Sequence, residues 1–354
     1  MKKKNFLCIL LVFLLMLSLF GCGTAGDPPE GENPDPGPSE ENPTPGPSDD
    51  EEEPNPVFEL VLDPLHENGF NVKGQQDGDG SWKGKLWYES EPESCSWDLA
   101  QWECGYYHKS GGNYPPEYNI LNAEKTVLED GTYQWKDASK TFRSNPQTGA
   151  LWLELDAGAE YVEPRENNQP WPHLLVEYGL SQNLKVSEMQ SLELQLDFEL
   201  ESYENLMEAG TQKEGLHTAQ FLWYMTIRNN NPNSEDYGCF MWFGISLFDR
   251  RYEYSDLYAM QDTGKPINTG AYIYQPAARD ILSQPTAVGV SQSVRADLLP
   301  FIRQAFQAAQ NAKFFTRSKF SDLVVGGGNF GWEMTGTYHA AMSVDSFQLV
   351  ATMN

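Results

Sequence analysis

The strongest constraint in this chain is a period of two. Leu192, Leu194, Leu196, Phe198 and Leu200 alternate with Glu193, Gln195, Asp197, Glu199 and Glu201, and Leu151, Leu153 and Leu155 alternate with Trp152, Glu154 and Asp156. Successive side chains of an extended strand point to opposite faces, so each run predicts a strand with one apolar and one wet face. Segments 217–228 and 238–249 are apolar or aromatic on both faces, which predicts central strands that are covered on both sides or that line an aromatic groove. One helix interrupts the pattern near 299–312: Pro300 suits a first turn, and Phe301, Ile302, Ala305, Phe306 and Ala309 share one stripe. The expected fold is all-β, a two-sheet antiparallel sandwich of jelly-roll type. It fills one large domain over 57–354, with a loop-rich part over 57–130. Gly326-Gly-Gly-Asn-Phe-Gly331 fits a dinucleotide-binding pattern but has no room for the helix and strand that should follow, and reads as a turn.

The N-terminus carries an address. Lys2, Lys3 and Lys4 precede a 15-residue apolar run from Phe6 to Phe20, too short to span a bilayer but right for a signal peptide over 1–21. Leu19-Phe20-Gly21-Cys22 resembles the lipobox of bacterial lipoproteins, and the resemblance implies a lipidated Cys22 and an extracytoplasmic, membrane-anchored protein at the bacterial cell surface. Residues 22–56 read as the lipidated cysteine and an acidic, proline-rich stalk, in which Glu32 to Glu40 is nearly duplicated by Glu41 to Asp49. The chain has a formal net charge of −27. Setting aside the eleven stalk carboxylates and the three leading lysines leaves 21 basic against 40 acidic residues over 57–354, so the folded part is itself acidic. A polyanionic surface excludes nucleic acid as a partner.

The cysteines agree with export. Cys95 and Cys104 flank an aromatic stretch and are candidates for a small disulfide, whereas Cys239 reads as a small hydrophobe in a strand. No Cys-x-x-Cys or paired-His spacing suggests zinc, and no cofactor is implied. Asp77-Gly-Asp79-Gly has the opening of a calcium loop without its bidentate glutamate, so calcium is a weak expectation and an acidic turn the stronger one.

Several strand faces carry candidate chemistry. The wet, aromatic strands and long loops from Tyr133 to Asn354 resemble the concanavalin A-like and related jelly-roll domains of surface proteins that bind or cut glycans. The resemblance implies a poly- or oligosaccharide partner. Glu154-Leu-Asp156-Ala-Gly-Ala-Glu160 is similar to the carboxylate-bearing strand of retaining jelly-roll glycosidases, with one residue too many in its spacing. Glu154 and Asp156 of that strand, and separately His173 with Glu177 as acid and base on a polyuronide, are the catalytic candidates. Trp152, Gln220, Tyr224, Arg228 and Trp242 are the ligand-binding candidates, because aromatic platforms beside amides and charges suit the apolar face and hydroxyls of a sugar. Registers that bury the leucines are expected to bring Trp152, Glu154, His173, Glu177, Gln220, Tyr224, Arg228 and Trp242 to a common face. Pairing 217–228 with 238–249 as a hairpin would set Tyr224 and Arg228 beside Trp242, with Gly244 leaving an open floor. The functional expectation is carbohydrate binding; the alternatives are a glycoside hydrolase or polysaccharide lyase on the same fold, or a structural or adhesive lipoprotein with a protein partner.

The anchor reading is directly testable. Cys22→Ser should abolish metabolic fatty-acid labelling and leave the chain unprocessed or released; labelling that survives the substitution would overturn the assignment.

Overall fold

In the computed structural model, residues 54–76, 78–263 and 268–354 are described. The signal segment, Cys22, most of the stalk and Asp77 lie outside them. The alternating runs form two layers. The eight-stranded layer runs β15 (Ser291–Asp297), β10 (Met189–Asn205), β17 (Tyr338–Met353), β8 (Ala150–Asp156), β7 (Lys140–Asn145), β6 (Tyr133–Lys136) and β5 (Glu124–Val127), and β1 (Val57–Glu59) pairs with β17. The nine-stranded layer runs β13 (Tyr258–Gln261), β14 (Tyr272–Gln275), β12 (Phe240–Asp249), β11 (Ala219–Asn229), β16 (Leu323–Met334), β9 (His173–Tyr178), β4 (Trp97–Ala100), β2 (Phe70–Lys73) and β3 (Trp82–Leu86). Pairing is antiparallel except for β12 with β14 and β2 with β4. The expected two-sheet sandwich is present.

Alternation decides what lies between the layers. Leu192, Leu194, Leu196, Phe198 and Leu200 of β10 are buried, as are Leu151, Leu153 and Leu155 of β8. In β17 the inward set changes parity, from Val344 to Phe347, because the register with β10 slips at Asp345 and leaves that residue as a bulge. Phe347 then packs across the interior, its ring centroid 4.7 Å from Tyr178 and 5.4 Å from Phe330 of the other layer. Trp332 is fully buried, and its indole N–H donates to the Leu153 carbonyl at 2.8 Å, tying β16 to β8 through the core.

Helix α2 (Leu299–Asn311) carries Pro300 in its first turn and buries Leu299, Ile302, Ala305, Phe306 and Ala309, close to the expected stripe. It packs by the β13–β14 edge, where the Tyr274 hydroxyl donates to Gln304 Oε1 at 3.3 Å. Among the described residues no helix is long and apolar enough to cross a membrane.

Two expectations, on Gly326 to Gly331 and on Cys95 with Cys104, are corrected. The loop-rich stretch 57–130 also contains the short strands β1 to β5, which join both layers. They are three to five residues long, too short to show a period. Gly326 to Gly331 is not a turn but the middle of β16, paired to β11 on one side and, from Gly328 on, to β9 on the other. Cys95 and Cys104 are free thiols; the extended strand β4 runs between them and holds the two sulfurs apart. The Cys95 thiol faces the Asn68 carbonyl at 3.1 Å and that of Cys104 the His173 carbonyl at 3.3 Å.

The crossing from β1 to β2 depends on His66, which is fully buried at a backbone φ of 43°. Its ring nitrogens contact the Tyr88 hydroxyl at 2.9 Å, Ser144 Oγ at 3.0 Å and the Gly149 carbonyl at 3.1 Å. Burial lowers its pKa to about 4 from an ordinary 6.5, so the unfolded chain binds this proton more tightly and stability falls as pH drops from 6.5 towards 4. The full window is worth about 3 kcal/mol at ~1.4 kcal/mol per unit. Urea melts at pH 7 and pH 4 should show His66→Asn, which tolerates the same φ, losing about that much less on acidification than the native protein. Equal losses would show that His66 does not carry this acid sensitivity.

Candidate functional site

The outer face of the nine-stranded layer collects most of the chemistry. Strand β11 pairs with β12 as expected, with Thr226 opposite Trp242 and Tyr224 opposite Gly244. Met241, Phe243 and Ile245 point into the core, while Phe240 and Trp242 stay half-buried on the outer face. Phe240 and Trp242 meet edge to face with centroids 5.4 Å apart, and Trp242 meets Tyr224 at 6.0 Å. The floor beside Trp242 is not open. The Tyr224 ring lies across Gly244, where an added Cβ would stand 2.2 Å from the ring, and its hydroxyl accepts from Gln275 Nε2 at 2.6 Å. Burial pushes the Tyr224 phenol well up, with Glu333 adding to the effect. The phenol therefore acts as a fixed hydrogen-bonding group rather than a base near neutrality.

Two polar rows cross this face. In one, Tyr224, Asn329, Glu177, Asp98 and Asn71 stand opposite one another on β11, β16, β9, β4 and β2. In the other, Asp249, Gln220, Glu333 and His173 do so on β12, β11, β16 and β9. Glu333 Oε2 accepts from the Trp171 indole at 3.2 Å and lies 3.7 Å from His173 Nε2, an ion pair when the imidazole is protonated. His173 is itself flanked by the rings of Trp171 and Trp102 at 5.5 and 5.9 Å. Glu177 is bound to Lys73, which also reaches Asp98 at 3.5 Å. Burial raises the Glu177 carboxyl above its usual range and Lys73 opposes the shift.

The sequence candidates divide between the layers. Gln220, Tyr224, Trp242, His173 and Glu177 share the outer face of the nine-stranded layer, with exposed Arg228 at the far end of β11 opposite Phe240. Trp152, Glu154 and Asp156 are on β8, on the outer face of the other layer, so the expected common face does not include Trp152 and Glu154. The alternation placed them outward correctly; a period of two carries no information about which sheet a strand joins. There Glu154 contacts His339 at 2.6 Å, and Asp156 accepts from the Gly158 and Ala159 N–H groups at the start of the short helix α1 (Ala157–Glu160). Glu160 is fully buried, accepting from the Ser139 hydroxyl and the Gly105 N–H, with Lys140 beside it.

Glu333, Asn329 and Trp171 were not singled out from the sequence. Reading Gly326 to Gly331 as a turn hid the alternation of Asn329, Gly331 and Glu333 against Phe330, Trp332 and Met334. Asp79 of the calcium-like turn accepts from Ser81 N at 3.0 Å and pairs with Lys83 at 2.9 Å. Among the described residues no group of three or more His, Cys, Asp or Glu is arranged to hold a metal ion.

No protein-family model matches the chain, and no curated protein does. Solved structures similar to it include a family 12 xyloglucanase from Bacillus licheniformis, at 10% identity over 65% of this chain and 97% of that one with a TM-score of 0.37. Endoglucanase cel12A from Rhodothermus marinus is similar at 10% identity over 66% of this chain and 97% of that one, TM-score 0.35. Endoglucanase 3 from Trichoderma harzianum, of family GH12, stands at 13% identity over 66% and 96%, TM-score 0.33. Scores this low describe a likeness of sandwich layout and carry no argument about chemistry.

The face depends on the glycines beneath it. A Cβ on Gly328 would lie 1.8 Å from the Tyr224 carbonyl oxygen and 2.7 Å from Met225 Cα, both backbone atoms that cannot move aside without opening the β11–β16 pair. Gly328→Ala should cost about 3 kcal/mol or more by overpacking. Gly215→Ala, with nothing within 4 Å, is the control. Thermal melts compare the two, and a Gly328→Ala protein as stable as the control would contradict the packing argument.

Proposed function

We propose that this chain is an extracytoplasmic lipoprotein, anchored through Cys22, whose sandwich binds carbohydrate on the outer face of its nine-stranded layer. The anchor rests on the leader and the run Leu19 to Cys22. The binding reading rests on one observation: the half-buried aromatic edge Phe240, Trp242 and Tyr224 borders rows bearing Gln220, Asn329, Gln275 and Glu333. Aromatic rings take the apolar C–H faces of a sugar and amides or carboxylates its hydroxyls.

Cleavage is the second reading, favoured by Glu333 between His173 and Trp171, an ionisable pair on the same face. The other carboxylates there are already engaged: Asp249, two strands from Glu333 in the same row, pairs with Arg251 and accepts from Thr218, Asp98 faces Lys73, and Glu177, opposite Asn329 and four residues along the strand from Glu333, is bound to Lys73. Four residues of strand span about 13 Å. Paired glycosidase carboxyls stand about 5–5.5 Å apart in retaining and 6.5–9.5 Å in inverting enzymes. Binding is therefore the better-supported activity.

A glycan array of neutral, acidic and uronic oligosaccharides, read for retained ligand and for new reducing or unsaturated ends, separates the two. Trp242→Ala should weaken retention by about 1–2 kcal/mol, roughly five- to thirtyfold, with a small change in melting temperature. A large fall in melting temperature with unchanged affinity would make Trp242 a packing residue. Shortened products that disappear in Glu333→Gln would make the protein an enzyme.

A further inference from the structure

Trp152 is separated from the face just described, yet it is not idle packing. It lies in a row with Arg143 and Ser343 across β7, β8 and β17 on the outer face of the eight-stranded layer. The Arg143 guanidinium is stacked over its ring, 4.0 Å from the centroid, and Arg143 Nε donates to Gln134 Oε1 at 2.7 Å. Two contacts thus fix a side chain that would otherwise sample many rotamers. Beside this pair is a cavity of about 160 Å³, lined by Trp152, Arg143, Ser343, Asn145, Asp345 and Asp130. The β5–β6 turn supplies Asp130, whose carboxylate accepts from Thr132 N at 3.0 Å. Asp345 is the extra residue of the β17 bulge, the device by which a strand re-aims one side chain out of register.

The lining has the composition of a sugar site. An indole and the apolar Leu128, Ala150 and Leu151 stand beside an amide, two hydroxyls, a guanidinium and two carboxylates. At about 30 Å³ per water in the liquid, this volume corresponds to about five waters, on the order of the volume of one pyranose ring. Two carboxylates against one guanidinium leave the site net negative, which repels uronates and phosphates. We propose that the cavity between Trp152, Arg143 and Asp345 is a second binding site, separate from the nine-stranded face, that takes one neutral pyranose residue.

Fluorine NMR of the full chain labelled with 5-fluorotryptophan tests this, with Trp152 assigned through Trp152→Phe and Trp242 through its own variant. The probes are methyl glycosides of glucose, galactose, mannose and xylose, with glucosamine as a cationic control. The Trp152 signal should move saturably with at least one of them, with Kd in the millimolar range expected for so small a ligand. Asp345→Asn, an exposed position, should weaken that response about tenfold, and Trp242→Ala should leave it unchanged. No movement of Trp152 up to about 100 mM of any neutral glycoside, an equal response in Asp345→Asn, or a response to glucosamine alone would each overturn the proposal. The Trp242 signal reports the other face independently, so failure of either site is seen without the other.

Discussion

The close approach of β16 to its neighbours is the constraint on which the nine-stranded layer rests. Gly327 and Gly331 would clash with the carbonyls of Tyr178 and Leu174 on β9, and Gly328 with that of Tyr224 on β11, if any carried a side chain. A strand squeezed from both sides in this way has to be glycine wherever a neighbouring carbonyl intrudes. Between and beyond these glycines the large residues alternate, Phe330, Trp332 and Met334 inward and Asn329 and Glu333 outward. One strand thereby supplies core aromatics to the interior and polar groups to the centre of the outer face. The register slip between Met225 and Thr226 belongs to the same device, and there Thr226 Oγ1 donates to the Gly327 carbonyl at 3.0 Å.

What could be read from the sequence follows from what periodicity encodes. The inward and outward sets of β8 and β10 were legible residue by residue, and so was the hairpin that brings Tyr224 to Trp242. Layer membership was not, which is why Trp152 and Trp242, both outward aromatics, were expected together and stand on opposite outer faces. The glycine run failed for a different reason: three successive glycines are the usual mark of a turn, and only tertiary crowding makes them a strand. Short strands such as β2 and β4 were hidden too. Four residues cannot establish a period, and the groups they bring to the face, Lys73, Asn71 and Asp98, were invisible as a set.

Buried charge is handled by pairing in both layers. Lys140, with a fully buried side chain, meets Asp137 at 2.8 Å and donates to the Tyr118 carbonyl at 2.8 Å, with Glu160 nearby. Through Glu160 the cluster also receives the Gly105 N–H, so it fastens the loop after β4 to the eight-stranded layer. Desolvating such groups costs several kcal/mol per ion unless each is matched, so the cluster specifies where that loop sits more than it adds net stability. On the nine-stranded face the Lys73, Glu177 and Asp98 group plays the corresponding part at the floor of β2, β4 and β9.

That difference in role bears on how the two glutamates of the outer face are to be weighed. Glu177 is committed: its charge is compensated by Lys73, and removing either partner would strand the other in a poorly hydrated place. Glu333 is held by an indole N–H and stands near an imidazole, groups that orient a carboxylate while leaving it on a partly exposed surface. On the carbohydrate-binding proposal, recognition falls to the centre of the face, between Trp242 and Trp171, with the Lys73 side as its support.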